Sequence, residues 1–294
     1  MAQAPWTSQL VTAIHKAELL AEEKLTKKAR QRVFRTLGPF LLVVTFIEDS
    51  LRILFRWSEQ KSYLTSRMGM NGFFAVLSLL ISVVVQVCGT GMILRPEHFK
   101  PRLIKQGSYT LLGFVMVQPF LYGQATDLDF MCRSVTLAGG FLLLIWSENE
   151  KERRSESSLG LPQGPQGQGA DRLQLFGRGL LTLIFLFQAV YDENGGLHSV
   201  MTSPGFFNIC SALLLLALSA MVCVGLHTEW SAIGLSVVLF ISNVYMYPFW
   251  RARAGLVDFY KYYFFQNLSV IGGLMLLALH GPGGISLEGA KKGL

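Results

Sequence analysis

Glu48, Asp49 and Arg52 stand within two helical turns of one another inside an apolar run, in the stretch FIEDSLRILFRWSEQ from Phe46 to Gln60. The run starts at Leu37 and closes on Leu54, Phe55 and Trp57, long enough to enter a bilayer. Carboxylates at membrane depth are costly, and they usually face a protein interior or a wet cavity. An arginine three and four residues further on puts the three charges on one helix face. At about 1.5 Å per residue counted from Gly38, the acids lie roughly 15 Å into the bilayer. Three chemistries are open to this cluster. Arg52 or Arg133 can neutralise the acids, which then only pin a bundle. The acids can receive a cationic group of a ligand, such as a free peptide amino terminus. They can also couple to proton movement.

A second polar cluster runs from Asn243, Tyr245, Tyr247 and Trp250 to Asp258, Tyr260, Lys261, Tyr262, Tyr263 and Gln266. Most of its tyrosines read as an aromatic belt among headgroups. Asp258 and Lys261 lie on the same expected side as Asp127, Asp129, Asp192 and Glu193, and these short acidic loops suit a shallow recess. The expected site is therefore a cavity opening away from the cytoplasm, lined by Glu48, Asp49, Arg52, Arg133, Asn243 and Asp258. Arg52 and Arg133 would balance the acids while the cavity is empty.

Other chemistries find little support. The five histidines (His15, His98, His198, His227, His280) show no metal-ligand spacing. Cys88, Cys132, Cys210 and Cys223 lie in apolar segments without a CxxC pair, as small packing residues would. The stretch CGTGMIL (Cys88 to Leu94) offers no lysine to a phosphate, and no nucleophile elbow is present. The sequon Asn267-Leu268-Ser269 falls inside an apolar run, too deep for glycosylation. No metal, cofactor or enzymatic activity is expected.

The elements that would position the charges follow from composition. Of 294 residues, 51% are hydrophobic and 15% charged, against about 25% charged in soluble domains. Repeated apolar runs of roughly 18 or more residues indicate a polytopic helical membrane protein. The expected fold is an all-α bundle of eight transmembrane helices. They fall at 37–57, 71–94, 106–125, 129–147, 174–191, 206–226, 230–250 and 262–280. Arg133 and Arg178, near span ends, are expected to snorkel. The net charge of +7 sits in loops beside apolar runs, which argues for membrane topology and against nucleic acid. With the N-terminus cytoplasmic, that side collects seventeen lysines and arginines against five opposite, so both termini should be cytoplasmic.

No cleavable signal peptide is visible, so the first span would insert uncleaved. Residues 1–35 read as a basic, amphipathic cytoplasmic segment, with Leu10, Ile14, Ala17, Ala21 and Leu25 at helical spacing. Residues 36–150 form a first four-helix half and 151–172 a flexible cytoplasmic linker rich in Gly, Pro and Gln. A second half spans 173–282. The pairing of LAGGFLLLI (Leu137 to Ile145) with VIGGLMLLA (Val270 to Ala278) suggests that the halves are parallel repeats. The tail, 283–294, ends in Lys291-Lys292-Gly293-Leu294, a dilysine pattern that would serve as a receptor-read retrieval address.

FIEDSLRILFRWSEQ, LAGGFLLL, SNVYMYPFW (Ser242 to Trp250) and DFYKYYFFQNLSVIGGLMLL (Asp258 to Leu277), followed by GPGGIS, resemble the surfeit locus protein 4 family. The resemblance implies a cargo receptor of the endoplasmic reticulum membrane, cycling through the intermediate compartment and the Golgi. It would bind short signals of soluble secretory proteins in the lumen, enter anterograde coated vesicles and return through Lys291 and Lys292. Its implied partners are secretory cargo, anterograde and retrograde coat proteins and the lipid bilayer, with a homo-oligomer left open. The long start and the Gly/Gln-rich linker depart from the family pattern. The halves also look similar to four-helix DoxX-like membrane proteins, which keeps a small-molecule transporter or membrane oxidoreductase as the alternative.

Overall fold

The computed structural model describes residues 5–94, 101–158, 167–191, 206–253, 255–281, 283, 285 and 286, and among these every regular element is helical. Helix α1 (Pro5–Phe55) carries the basic segment without a break into the first apolar run, passing through Pro39. Then come α2 (Trp57–Ser66), α3 (Gly72–Leu94), α4 (Pro101–Leu121) and α5 (Leu128–Ser158). The later part holds α6 (Gly167–Leu181), α7 (Leu183–Tyr191), α8 (Phe206–Val224), α9 (Thr228–Met246) and α10 (Val257–His280). Helix extends into both ends of the expected 151–172 linker. Lys291, Lys292, Asp192, Glu193 and the side chains of the amphipathic stripe from Leu10 to Leu25 lie outside the described residues.

The eight expected segments are helical over most of their length, but 174–191 is divided between α6 and α7, and 37–57 runs past the end of α1. Among the described residues, five stretches are long and apolar enough to cross a membrane: α3, α5 as far as Ser155, α6 with α7, α9 continued to Arg251, and α10. The apolar part of α1 carries Glu48, Asp49 and Arg52, α4 opens with Arg102 and Lys105, and the described apolar part of α8 is shorter. Phe73, Leu80 and Val84 on α3, like Phe240 and Ile241 on α9, point outward, as lipid-facing side chains do. Cys88 and Cys210 also point outward and are free of disulfides, so they do not fill the interior as expected.

Small residues set the closest helix contacts, since bare backbone lets two helices approach. Between α1 and α10, a Cβ on Gly272 would fall 2.7 Å from Gly38 O and 2.3 Å from Leu42 N. Between α5 and α6, a Cβ on Gly139 would fall 2.7 Å from Gly177 O and 2.6 Å from Leu181 N. One turn along each interface, Thr45 N–H donates to Ser269 Oγ at 3.2 Å and Ile184 N–H to Thr136 Oγ1 at 3.1 Å. Gly140 and Gly273 face each other between these two contacts, with Leu42 and Leu181 closing on them. Phe46, at the core, meets Phe141 at 5.7 Å and Phe114 at 6.3 Å.

At the expected cytoplasmic end, Arg30 pairs with Glu229 and Lys105 with Glu152. Arg178 does not snorkel. Its side chain is buried and donates to Ile285 O at 3.1 Å, while Gln174 Nε2 donates to Gly281 O at 2.8 Å, so the segment after α10 lies against α6. Arg133 is buried as well, because the bundle supplies partners that the lipid interface otherwise would.

Candidate functional site

The opposite end of the bundle gathers a second set of charged side chains. Asp49 is buried, ion-paired to Arg52 and bonded by Gln86 Nε2 at 2.6 Å. Ser50 Oγ donates to Gln86 Oε1 at 2.7 Å, which fixes the amide's orientation. Glu48 lies with one oxygen 3.8 Å from Arg52 Nε, an ion-pair distance too long for a hydrogen bond. Arg52 rather than Arg133 is therefore the cation beside this acid pair. Gln86 was not anticipated as its partner, although a lone amide in the middle of apolar α3 is the kind of residue that needs one.

Arg133 belongs to a separate network. Its Nε donates to Asp129 Oδ2 at 2.8 Å and its Nη1 to Asn267 Oδ1 at 2.7 Å. Asn267 Nδ2 donates to Asn243 Oδ1 at 2.9 Å, and Asn243 Nδ2 to Phe264 O at 3.0 Å. The guanidinium also sits 4.5 Å above the Tyr263 ring, a favourable cation–π placement. The sequon asparagine, Asn267, thus ties α5, α9 and α10 together, and only 1% of it is exposed.

Among the described residues, two cavities flank these networks where one was expected. The first, about 430 Å³, is lined by Arg52 and Asp258 with Glu59, Asp127, Tyr122, Phe130, Phe259, Tyr262 and Tyr263. Its walls carry three carboxylates, those of Glu59, Asp127 and Asp258, against the single guanidinium of Arg52. Arg56 reaches Asp258 from outside and lies 3.5 Å from Glu59. Asp127 also caps α5, its Oδ1 accepting from the backbone N–H of Asp129 at 3.0 Å. Phe130 stacks on Tyr262 with 5.9 Å between centroids. The second cavity, about 370 Å³, is lined by Arg133 and Asn243 with Asp129, Asn267, Gln188 and Ser242 among apolar side chains.

The six expected residues therefore divide. Arg52 and Asp258 face the first cavity, Arg133 and Asn243 the second, and Glu48 and Asp49 are among the lining residues of neither. The two carboxylates hold Arg52 at the edge of the first cavity, and the acids that line it are Glu59, Asp127 and Asp258. Glu59 lies past the helix break at Arg56, where the expected span had already ended. Among the described residues, no group of three or more His, Cys, Asp or Glu side chains comes together to hold a metal.

No solved structure matches the chain. It is 32% identical to the Surfeit locus protein 4 homolog of Drosophila melanogaster over 95% of this chain and 97% of the relative. It is 32% identical to the Schizosaccharomyces pombe protein of the same name over 87% and 81%, respectively. It is 30% identical to the ER-derived vesicles protein ERV29 of Saccharomyces cerevisiae over 87% and 76%. The SURF4 family model spans residues 11–294, taking in both charged networks and both cavities, and the chain belongs to the SURF4 family.

Proposed function

We propose that the protein is a cargo receptor of the endoplasmic reticulum membrane, and that its first cavity receives the amino terminus of soluble secretory proteins. The observation that carries this reading is the acidic, aromatic-walled cavity of about 430 Å³ at the end expected to face the lumen. Its volume falls within the range of about 300–1,000 Å³ common to small-ligand sites. A peptide ammonium would sit among Glu59, Asp127 and Asp258, and the first side chain would enter between Tyr122, Phe130 and Tyr262. Glu48 and Asp49 would hold Arg52 in position, and Arg133 and Asn243 would stiffen the wall behind Tyr263. The name of the budding-yeast relative, an ER-derived vesicles protein, supports a place in vesicle traffic.

In this reading eight helices cross the membrane in two parallel four-helix halves, and both termini are cytoplasmic. The equivalent contacts Gly38–Gly272 and Gly139–Gly177 support the duplication, since each joins the first helix of one half to the last helix of the other. Cargo loading would lead into anterograde coated vesicles, and Lys291 and Lys292 would return the receptor through the retrograde coat.

The test is a combined Glu59→Gln, Asp127→Asn and Asp258→Asn variant, in which the asparagine at 127 preserves the helix cap. In cells that depend on this variant, secretion of signal-bearing cargo should slow severalfold while a cargo with a blocked amino terminus is unaffected. Unchanged secretion at normal receptor levels would contradict the assignment.

A further inference from the structure

We infer that the second cavity is a subsite for the same peptide, holding a residue several positions after the amino terminus. The inference rests on the peptide reading of the first cavity. It starts from how thin the partition between the two cavities is. Tyr263 lines the first, while Tyr247 and Arg133 line the second. Tyr247 stacks on Tyr263 with centroids 5.2 Å apart, and Arg133 lies 4.5 Å from the same Tyr263 ring. An extended peptide advances about 3.3–3.6 Å per residue, so two or three residues carry it across this aromatic layer.

The chemistry of the second cavity differs from that of the first. Asp129 is its acidic lining residue, and Arg133 is bonded to it, so the wall has no excess charge to offer an ammonium. The internal repeat makes the same point. The step of 139 positions that takes Gly38 to Gly177 and Leu42 to Leu181 also takes Glu48 and Asp49 to Phe187 and Gln188. Where the first half carries its acid pair, the second carries a ring and a neutral amide.

The polar groups left for a ligand are those of a backbone reader. Asn243 and Asn267 spend their amides on each other, on Arg133 and on Phe264 O. Gln188 and Ser242 face the cavity with no hydrogen bond among the described residues. A side-chain amide and a hydroxyl in this position suit a peptide N–H and C=O, and Leu215, Val238 and Leu239 supply an apolar seat beside them. The ligand class is therefore an extended peptide segment with an uncharged, apolar side chain.

The experiment uses the full chain in lipid nanodiscs and two fluorescent peptides with free amino termini and amidated ends. One is an apolar tripeptide and the other its six-residue apolar extension. The longer peptide should bind at least tenfold more tightly. Gln188→Leu, which removes the amide at similar size, and Ser242→Phe, which fills the space, should each erase most of that gain while leaving tripeptide affinity unchanged. A length gain that survives both variants, or no gain in the native protein, would overturn the inference and leave the first-cavity reading standing. Failure of the native protein to bind either peptide would overturn that reading and this inference with it.

Discussion

Gln86, on the buried face of α3, donates to Asp49 at 2.6 Å and so anchors the acid pair of α1 to α3. The same carboxylate is ion-paired to Arg52, which lines the first cavity. The buried acid thus acts on the cavity wall at one remove.

Removing that carboxylate leaves a guanidinium poorly compensated in a low-dielectric bundle. Breaking one side of a buried pair costs about 3–5 kcal/mol. Asp49→Ala should lower the melting temperature of the detergent-purified protein sharply, and Glu48→Gln should lower it much less, because Glu48 meets Arg52 only at 3.8 Å. The double variant Asp49→Ala with Arg52→Met should recover part of the loss. Equal effects of the two acid substitutions would contradict this division of roles.

Gly272→Ala forces a Cβ to within 2.3 Å of Leu42 N on the neighbouring helix. Over-packing of this kind costs about 1–3 kcal/mol. Gly91→Ala, where nothing lies within 4 Å, should instead raise stability slightly by stiffening the helix. Thermal unfolding of the two variants checks the contrast.

Sequence alone placed most of the apolar helices, because apolar runs and charge punctuation are local properties, but it missed α2 and the break between α6 and α7. It also located Glu48, Asp49 and Arg52, whose helical spacing fixes their encounter. It did not reveal that Arg133 turns to Asp129 and Asn267, or that Arg178 turns to Ile285 O, since those partners come from distant parts of the chain. The expected snorkelling of both arginines failed for this reason. The division of one cavity into two had the same origin, because the Tyr247–Tyr263 stack joins separate elements.

Arg178→Met would leave the Ile285 carbonyl without the guanidinium that now binds it, at a cost of about 1–3 kcal/mol. Amide hydrogen exchange across 281–286 should accelerate at least tenfold, with exchange in α3 unchanged. Identical exchange in variant and native protein would show that Arg178 does not hold this segment.

The Asn267 sequon should stay unglycosylated in cells, because the side chain is 1% exposed and bonded to Asn243 and Arg133. Enzymatic deglycosylation should leave the electrophoretic mobility unchanged. A shift abolished by Asn267→Gln would place this residue in an accessible lumenal position, contrary to the fold.

Lys291→Ser with Lys292→Ser should move the steady-state location from the endoplasmic reticulum toward the Golgi, read by fluorescence overlap with compartment markers. Unaltered residence would remove the retrieval role of the tail.

The most direct measurement is photo-crosslinking in native membranes with a peptide whose first residue carries a diazirine, mapped by mass spectrometry. Labels should fall on segments bearing Tyr122, Phe130 and Tyr262, and acetylation of the peptide's amino terminus should cut them at least tenfold. Equal labelling by the acetylated peptide, or labels confined to the outward faces of α3 and α9, would contradict the account.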